Sequence, residues 1–254
     1  MIRDIETHDE IRAVEELQKD VWGVDDREIV PTTQLVAAKE TGGQLIGAWR
    51  EDTMIGFVYG FVGLEHGRII HHSHMLAVKS EYRDSDVGYQ LKLAQRDRVL
   101  RQGITRITWT FDPLQSRNAH FNFAKLGVVS DSYKADIYGP ESSSFVPNIA
   151  SDRLWVTWPL NGKRTTTPKP DAPMLVEVDA QNRPRERELP AGAPHALIAI
   201  PRDINALPAE LAVLWRNATR RAFTAAMDQG FVAANFFRDS GAYLLTHGSI
   251  EDFE

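Results

Sequence analysis

The sequence predicts an α/β (α+β) fold, in which a mixed, mostly antiparallel sheet is flanked by helices and followed by a smaller C-terminal α/β extension. Three observations carry this prediction. Segments with strand or helix spacing fill residues 1–160, a stretch with linker composition covers 161–173, and a strand, a long helix and a hairpin follow. We therefore predict a first domain at 1–160, a linker at 161–173, and an extension at 174–254 that packs on the first domain or forms a homodimer surface.

The first domain contains alternating strand and helix patterns in the order β-α-α-β-β-β-α-β-α-β-β. Apolar residues at helical spacing define the helices, and β-branched or aromatic runs bounded by Gly, Asp and Glu define the strands, three of which form an antiparallel meander. The predicted strands are 2–5, 45–49, 54–62, 68–78, 106–111, 133–138 and 154–158, and the predicted helices are 9–21, 32–39, 87–102 and 117–126.

The extension is predicted to contain a strand at 196–200, a helix at 209–229 and a closing hairpin of strands 231–237 and 242–245. Pro208 precedes the helix and Gly230 follows it, as is typical of helix ends. The helix should dock on a sheet through an apolar face. That face consists of Leu211, Leu214, Trp215, Ala218, Ala222 and Ala225. The charged run 183–188 is predicted to be a solvated loop.

Composition limits the partners of the chain. Its 254 residues carry a net charge of −6 with 43% hydrophobic residues, which argues against nucleic acid or an anionic membrane as partner. The N-terminus has no apolar core of the kind that a signal peptide needs, and no apolar run approaches the roughly 20 residues of a membrane span. We expect a soluble, cytoplasmic protein. The absence of cysteine excludes a thiol nucleophile and thiolate metal ligands.

The most informative segment joins a strand that ends at Val78 to a helix that begins at Val87. Between them, residues 83–86 form a polar turn. The first turn of a helix leaves backbone N–H groups unpaired, and the helix dipole favours negative charge there. This arrangement predicts an anion site at the start of the helix.

Residues 83–91, R-D-S-D-V-G-Y-Q-L, resemble the R-G-x-G-[IV]-G-x-x-L acyl-CoA motif of the GNAT N-acyltransferase superfamily. The order of elements over 1–160 is also that of this fold. Asp84 and Asp86 stand where the family carries glycine, and both place acidic charge beside an acidic ligand. Asp86 is also a favoured type for a helix N-cap. The resemblance implies acetyl-CoA or another acyl-CoA as co-substrate, with its pyrophosphate held by Arg83, Asp84, Ser85, Asp86, Val87, Gly88 and Tyr89.

The run His72-Ser73-His74-Met75-Leu76-Ala77-Val78 resembles the H-x-H-x-L-A-V run of arylalkylamine N-acetyltransferases, in which the histidines remove a proton. Residues two apart on a strand share a face, so both imidazoles can line one cleft. An amine nucleophile must lose a proton before attack, and imidazole titrates near neutral pH. We rank His74 above His72, since other family members place a glutamate base there. Structural histidines and zinc chelation are the alternatives, and we expect no metal.

The resemblance gives further residues a place in the cofactor site. The backbone of Leu76, Ala77 and Val78 is expected to bind the pantetheine amides. The run F-A-K-L-G at 123–127 resembles the family's Y-x-K-x-G, except that its tyrosine, often the acid for the departing thiolate, is a phenylalanine. The implied cofactor residues of this second part are Asn118, Phe123 and Lys125. Arg117 is a candidate for binding phosphate or a substrate carboxylate, and Trp109 belongs either to the core or to a substrate wall.

The predicted function is transfer of an acyl group from acyl-CoA to a small-molecule primary amine by direct attack in a ternary complex. The run D-P-L-Q-S-R-N-A-H at 112–120 and the appended tail resemble a GNAT branch found with N-acylamino-acid metabolism. That resemblance favours an acetyl or succinyl donor and an amino-acid acceptor. Two alternatives stay open, namely a non-catalytic acyl-CoA sensor or scaffold and an arylalkylamine N-acyltransferase.

Overall fold

The computed structural model describes most of the chain, and the described residues are 1–83, 85–139, 150–162 and 169–254. These residues form two compact units, Met1–Trp109 and Thr110–Glu254. The division differs from the expected linker at 161–173, part of which lies outside the described residues. The domain boundaries given above therefore stay predictions.

The first unit contains every element that the sequence predicts for it, with ends that shift by a few residues. In chain order these are β1 (Ile2–Asp4), α1 (His8–Trp22), α2 (Thr32–Glu40), β2 (Gln44–Arg50), β3 (Thr53–Glu65), β4 (Arg68–Val78), α3 (Val87–Arg101) and β5 (Arg106–Phe111), which runs into the second unit. Strands β2, β3 and β4 pair antiparallel in sequence order, as the meander predicts, and β1 pairs antiparallel with β2. Strand β5 pairs parallel with β4.

The sheet of the first unit is covered by helices on both faces. Apolar side chains of α1 and α2, such as Val14 and Leu35, pack with Phe57 and Tyr59 of β3 on one face. On the other face, Leu91 of α3 packs with Val58 and its neighbours. Because both faces are buried, the alternation of side chains along β4 assigns each residue to one helix layer or the other.

Strand β4 carries a β-bulge opposite the third strand. Tyr59 pairs with Met75, whereas the next residue, Gly60, pairs with Ser73, so that His74 is the extra residue. A bulge changes the direction of one side chain and bends its strand. Gly60 permits the close approach at this point, since a Cβ atom there would lie 2.6 Å from the carbonyl oxygen of His72.

The second unit holds a second set of strands with one long helix. Its elements are α4 (Ser116–Ala119), a π-helical turn (His120–Leu126), β6 (Val129–Lys134), β7 (Arg153–Pro159), β8 (Met174–Val178), β9 (Pro184–Glu186), β10 (His195–Ala199), α5 (Ala209–Met227), β11 (Phe231–Phe237) and β12 (Ala242–His247). Strands β11 and β12 form the predicted hairpin. Strand β8 and the short strand β9 pair antiparallel, and β9 lies in the run that was expected to be a loop.

The strand predicted at 133–138 is displaced toward the N-terminus. Strand β6 spans Val129–Lys134, and Asp136 adopts a left-handed backbone with φ of 47° in the turn that follows. The buried Val129 pairs with Thr157 of β7. The aromatic residues Tyr133 and Tyr138 suggested a strand at 133–138, whereas the buried valines Val128 and Val129 precede it.

The helix predicted at 117–126 begins as an α-helix and continues as a π-helix. The amide of Gly127 donates to the carbonyl of Asn122 at 3.1 Å, and Gly127 ends the helix with φ of 79°. A π-turn inserts an extra residue per turn, and such turns are frequent at functional sites. In a regular α-helix, residues four apart lie on the same face. Here Asn118 is exposed and Asn122 is buried, so the two residues do not share one face.

Helix α5 buries a different face from the predicted one. Trp215 and Ala218 are buried as expected, but Leu214 is 50% exposed. Arg216 takes a buried position because its guanidinium donates to the Asp112 carboxylate at 2.7 Å. A hydrophobicity pattern misses this rotation, because the residue that defines it is charged and only its partner makes burial favourable.

Among the described residues, no helix is both long and apolar enough to cross a lipid bilayer. The cytoplasmic location stays a prediction.

Substitution of Gly60 by alanine tests the close approach at the bulge. The new methyl group would overlap the ring of His71 and the carbonyl of His72, so we expect the free energy of unfolding to fall by about 3 kcal/mol. Gly63→Ala on the same strand is the control, since its Cβ meets only the flexible end of Ile70. Chemical denaturation that gives equal losses for the two variants would contradict the tight packing described here.

Candidate functional site

The two predicted catalytic histidines lie side by side on one face of β4. The ring centroids of His72 and His74 are 6.3 Å apart, and both rings contact Phe61, at 5.4 and 5.8 Å. His74 also meets the edge of Tyr59 at 5.9 Å. His74 is exposed and His72 is half-buried. His72 and His74 therefore share one face of the strand, as the alternation of side chains predicts. The imidazole of His74 is accessible from solvent.

Desolvation favours the neutral form of both imidazoles near pH 7. The pKa of His72 falls to about 4, chiefly through desolvation and then through repulsion from His74 and Lys92. Desolvation also lowers the pKa of His74. A neutral imidazole has a ring nitrogen that can accept a proton. The pair therefore has the protonation state that a general base requires.

Strand β4 loses its parallel neighbour beyond His72. Pairing with β5 joins His71 to Ile107 and His72 to Thr108, and the Nδ1 atom of His72 lies 3.1 Å from the Thr108 hydroxyl. Within the described part of the first unit, this pairing does not continue to Ser73 and Trp109, although β4 runs on to Val78. We call this point, after His72 and Thr108, the β4–β5 fork. Beyond it, Leu76, Ala77 and Val78 pair with β3, and no strand of the described residues pairs with them on the other side.

The other face of β4 holds a buried polar network that the sequence analysis missed. The side chain of Lys92 on α3 donates to Ser73 Oγ at 2.9 Å and to Gln95 Oε1 at 3.2 Å. Ser73 donates to the same Gln95 oxygen at 2.9 Å, and the Gln95 amide nitrogen lies 3.2 Å from Nε2 of His71. The sequence signal for this network is the pair Lys92 and Gln95, three residues apart on α3. Such spacing of polar residues usually indicates a solvated helix surface.

The turn before α3 has the backbone that glycine ordinarily supplies. Asp86 occupies the N-cap position with φ of 56°, in the left-handed region, and its side chain makes no capping hydrogen bond. Asp86 therefore occupies the predicted N-cap position without the side-chain hydrogen bond that such a residue usually makes there. The positive φ also explains physically why glycine would be the preferred type here. Asp84 lies outside the described residues.

The first turn of α3 presents backbone N–H groups next to the end of β4. The Gln90 amide makes the first intrahelical bond, to the Asp86 carbonyl at 3.0 Å, so that the amides of Val87, Gly88 and Tyr89 precede it. A Cβ on Gly88 would meet nothing closer than 3.7 Å. A Cβ would thus be in ordinary contact with the side chains of Val78 and Leu76, so the fold itself does not require this glycine.

Other residues predicted for the loop surround this helix start. Arg83 is exposed, and its Nε donates to the carbonyl of Val78 at 3.3 Å. Ser85 is exposed and donates from its hydroxyl to the carbonyl of Tyr82 at 2.7 Å. Tyr89 is half-buried on the first turn of α3. The structure thus brings the described loop residues together with the end of β4.

The remaining predicted site residues lie near or within the second unit. Trp109 is 7% exposed and contacts Lys92, which makes it part of the interior. Arg117, Asn118 and Lys125 are exposed on the helix that contains the π-turn. Phe123 is buried against Tyr243, with ring centroids 5.4 Å apart. Their roles in binding stay predictions.

No group of three or more histidine, aspartate or glutamate side chains within the described ranges could hold a metal ion.

Solved structures provide the comparison with known proteins. A Desulfovibrio desulfuricans protein described as a GNAT-family acetyltransferase is 13% identical with a TM-score of 0.50, covering 63% of this chain and 98% of its own. The ribosomal-protein-S18-alanine N-acetyltransferase of Escherichia coli is 13% identical with a TM-score of 0.49, covering 66% and 99%. PaiA N-acetyltransferase from Thermoplasma acidophilum, solved with coenzyme A, is 15% identical with a TM-score of 0.45, covering 63% and 98%. No family model and no curated protein matches the sequence.

Proposed function

We propose that this chain, which has the fold of the GNAT N-acyltransferases, transfers an acyl group from acyl-CoA to a primary amine. The observation that carries the proposal is the one-sided edge of β4 beyond the β4–β5 fork, which leads directly to the amides at the start of α3. Backbone groups without a strand partner bind an amide-containing ligand as a further strand would. The helix start adds an anion site at the far end of that edge.

The residues of the first unit fit acyl-CoA in chemical type. The amides of Val87, Gly88 and Tyr89 would face the pyrophosphate, and the absence of a side chain at Gly88 permits a close approach. Arg83 supplies positive charge beside them. The backbone of Leu76, Ala77 and Val78 would hold the pantetheine amides. A backbone N–H on the thioester carbonyl oxygen would stabilise the charge that develops there during attack.

In the proposed reaction, His74 accepts a proton from the ammonium form of the acceptor, directly or through one water. The free amine then attacks the thioester carbonyl carbon, so that a C–N bond forms. The C–S bond breaks as the nitrogen releases its second proton to water. A thiol of pKa about 8.5 is a tolerable leaving group as its thiolate, and the protonated His74 can return the proton. This route requires no hydroxyl at Phe123. The acceptor we propose is a small primary amine, with amino acids first, and the donor is acetyl-CoA or succinyl-CoA.

The proposal is tested by thiol release from acetyl-CoA and succinyl-CoA with a panel of amino acids and arylalkylamines. Turnover with any acceptor supports an enzyme, and preference for arylalkylamines would select that alternative. The competing function is a non-catalytic acyl-CoA sensor, favoured by the acidic Asp86 at the helix start. Calorimetric binding of CoA without turnover across the panel would select the sensor.

We expect His74→Gln to lower kcat by about 100-fold or more, because it removes the proposed base. Affinity for CoA should stay unchanged. Since the pKa of His74 lies below 6.5, the neutral form predominates at pH 7, and activity should fall only as the pH drops below 6.5. A pH profile of kcat for both proteins measures this acid limb, which the variant should lack.

His8→Gln, an exposed histidine at the start of α1, is the control for this comparison. An unchanged kcat and acid limb in His74→Gln would remove His74 as the base and leave His72 as the candidate.

We expect Asp86→Gly to tighten CoA binding by about tenfold, since it removes a carboxylate from the anion site and relieves a left-handed backbone. Asp86→Asn separates the two effects, because asparagine tolerates this backbone and carries no charge. Asp97→Asn, an exposed position on the same helix, is the charge-matched control. Titration calorimetry that shows equal or weaker binding for both Asp86 variants would count against pyrophosphate at the start of α3.

A further inference from the structure

Lys92 is a buried lysine whose amine contacts neutral side chains. It is 2% exposed, and its Nζ contacts the hydroxyl of Ser73, the amide oxygen of Gln95 and the ring of Trp109, whose centroid lies 3.6 Å away. The contacts recorded for Lys92 across the described residues include no carboxylate. Desolvation lowers the pKa of this amine well below 10.5. A buried amine costs free energy that a methionine of similar length would not.

The position of this amine coincides with the β4–β5 fork. The last residues that pair β4 with β5 are His72 and Thr108. Ser73 follows His72 on β4, and Trp109 follows Thr108 on β5. The amine therefore contacts one side chain from each strand immediately beyond the point where their backbone pairing ends. On the opposite face of β4, the neighbouring His72 makes its contact with Thr108.

We propose that Lys92 is a positioning residue that fixes the separation and orientation of β4 and β5 at the fork. Its amine joins Ser73 to Trp109 where backbone hydrogen bonds no longer hold the two strands. This inference rests on the proposed function, in which the unpaired edge of β4 holds the acyl donor and His74 stands beside it. A shift of β4 by a fraction of an ångström would misalign the thioester and the base without removing either.

The network around Lys92 remains satisfied without it, which separates positioning from stability. Ser73 keeps its hydrogen bond to Gln95 at 2.9 Å when the amine is absent, and Gln95 keeps its contact with His71. Substitution by methionine therefore leaves Ser73 and the Gln95 amide oxygen hydrogen-bonded to each other and removes a buried amine. Stability should stay the same or rise, whereas a residue that serves only the fold would lose stability when changed.

We expect Lys92→Met to lower kcat by about 10-fold to 100-fold, with the Kd for acetyl-CoA within about twofold of the unmodified protein. The thermal midpoint should be equal or higher. The measurements are steady-state kinetics with the best donor and acceptor of the panel, calorimetry with acetyl-CoA, and thermal unfolding. Lys39→Met on α2 is the matched control, because it removes a lysine from another helix layer.

A double-mutant cycle with Ser73→Ala tests whether Lys92 acts through β4. Ser73→Ala removes the contact of the amine with β4 and leaves its bond to Gln95. Both single variants and the double variant should show similar losses of kcat, because each breaks the same link. Unchanged kcat in Lys92→Met, or losses of kcat that follow losses of thermal stability, would overturn the positioning role alone. Absence of CoA binding and of thiol release by the unmodified protein would overturn the proposed function and this inference together.

Discussion

The end of pairing between β4 and β5 is the constraint on which the site depends. Two residue pairs join these parallel strands, and β4 then continues for six residues with β3 as its partner in the first unit. A strand that is buried in a sheet normally satisfies its backbone on both sides. In the described part of the first unit, the backbone of residues 73–78 has a strand partner on the β3 side only. The same strand ends close to the start of α3. In the proposed function, the fork links the edge that holds the acyl donor to the anion site at the start of α3, and it does so through backbone groups.

Burial on both faces of β4 determines the chemistry of its side chains. Alternation along the strand sends His71 and Ser73 toward α3, while His72 and His74 face the aromatic side chains of β3. On both faces, desolvation disfavours the charged forms, so the imidazoles and the amine of Lys92 all have lowered pKa values. One physical cause thus favours the neutral forms of the imidazoles on one side and of the Lys92 amine on the other.

The sequence predicts the framework of the first unit well, because its signals are local. Helical spacing in α1, the apolar and β-branched run of β4 and the polar turn before α3 each lie within a few residues, and their boundaries agree closely with the structure. The GNAT resemblance, based on Arg83, Val87, Gly88 and Leu91, is confirmed at the level of the fold.

What the sequence could not predict depends on partners that are distant along the chain. The bulge at His74 exists because β3 shifts its register at Gly60. The buried face of α5 depends on the pairing of Arg216 with Asp112, which lies 104 positions away in the chain. The interior position of Lys92 requires Ser73 and Trp109 from two strands. The left-handed backbone of Asp86 could have been inferred, since this residue replaces a motif glycine, but aspartate is also a favoured N-cap type, and an N-cap usually has an extended backbone.

Amide hydrogen exchange, measured with and without acetyl-CoA, tests the central claim most directly. If the free edge of β4 and the start of α3 bind the co-substrate, exchange should slow at alternate residues within 73–78 and at 87–89. Amides of the β3–β4 hairpin turn near Gly67, remote from that edge in the chain, should be unaffected. Protection confined to other segments, with residues 73–78 and 87–89 exchanging as before, would contradict the account.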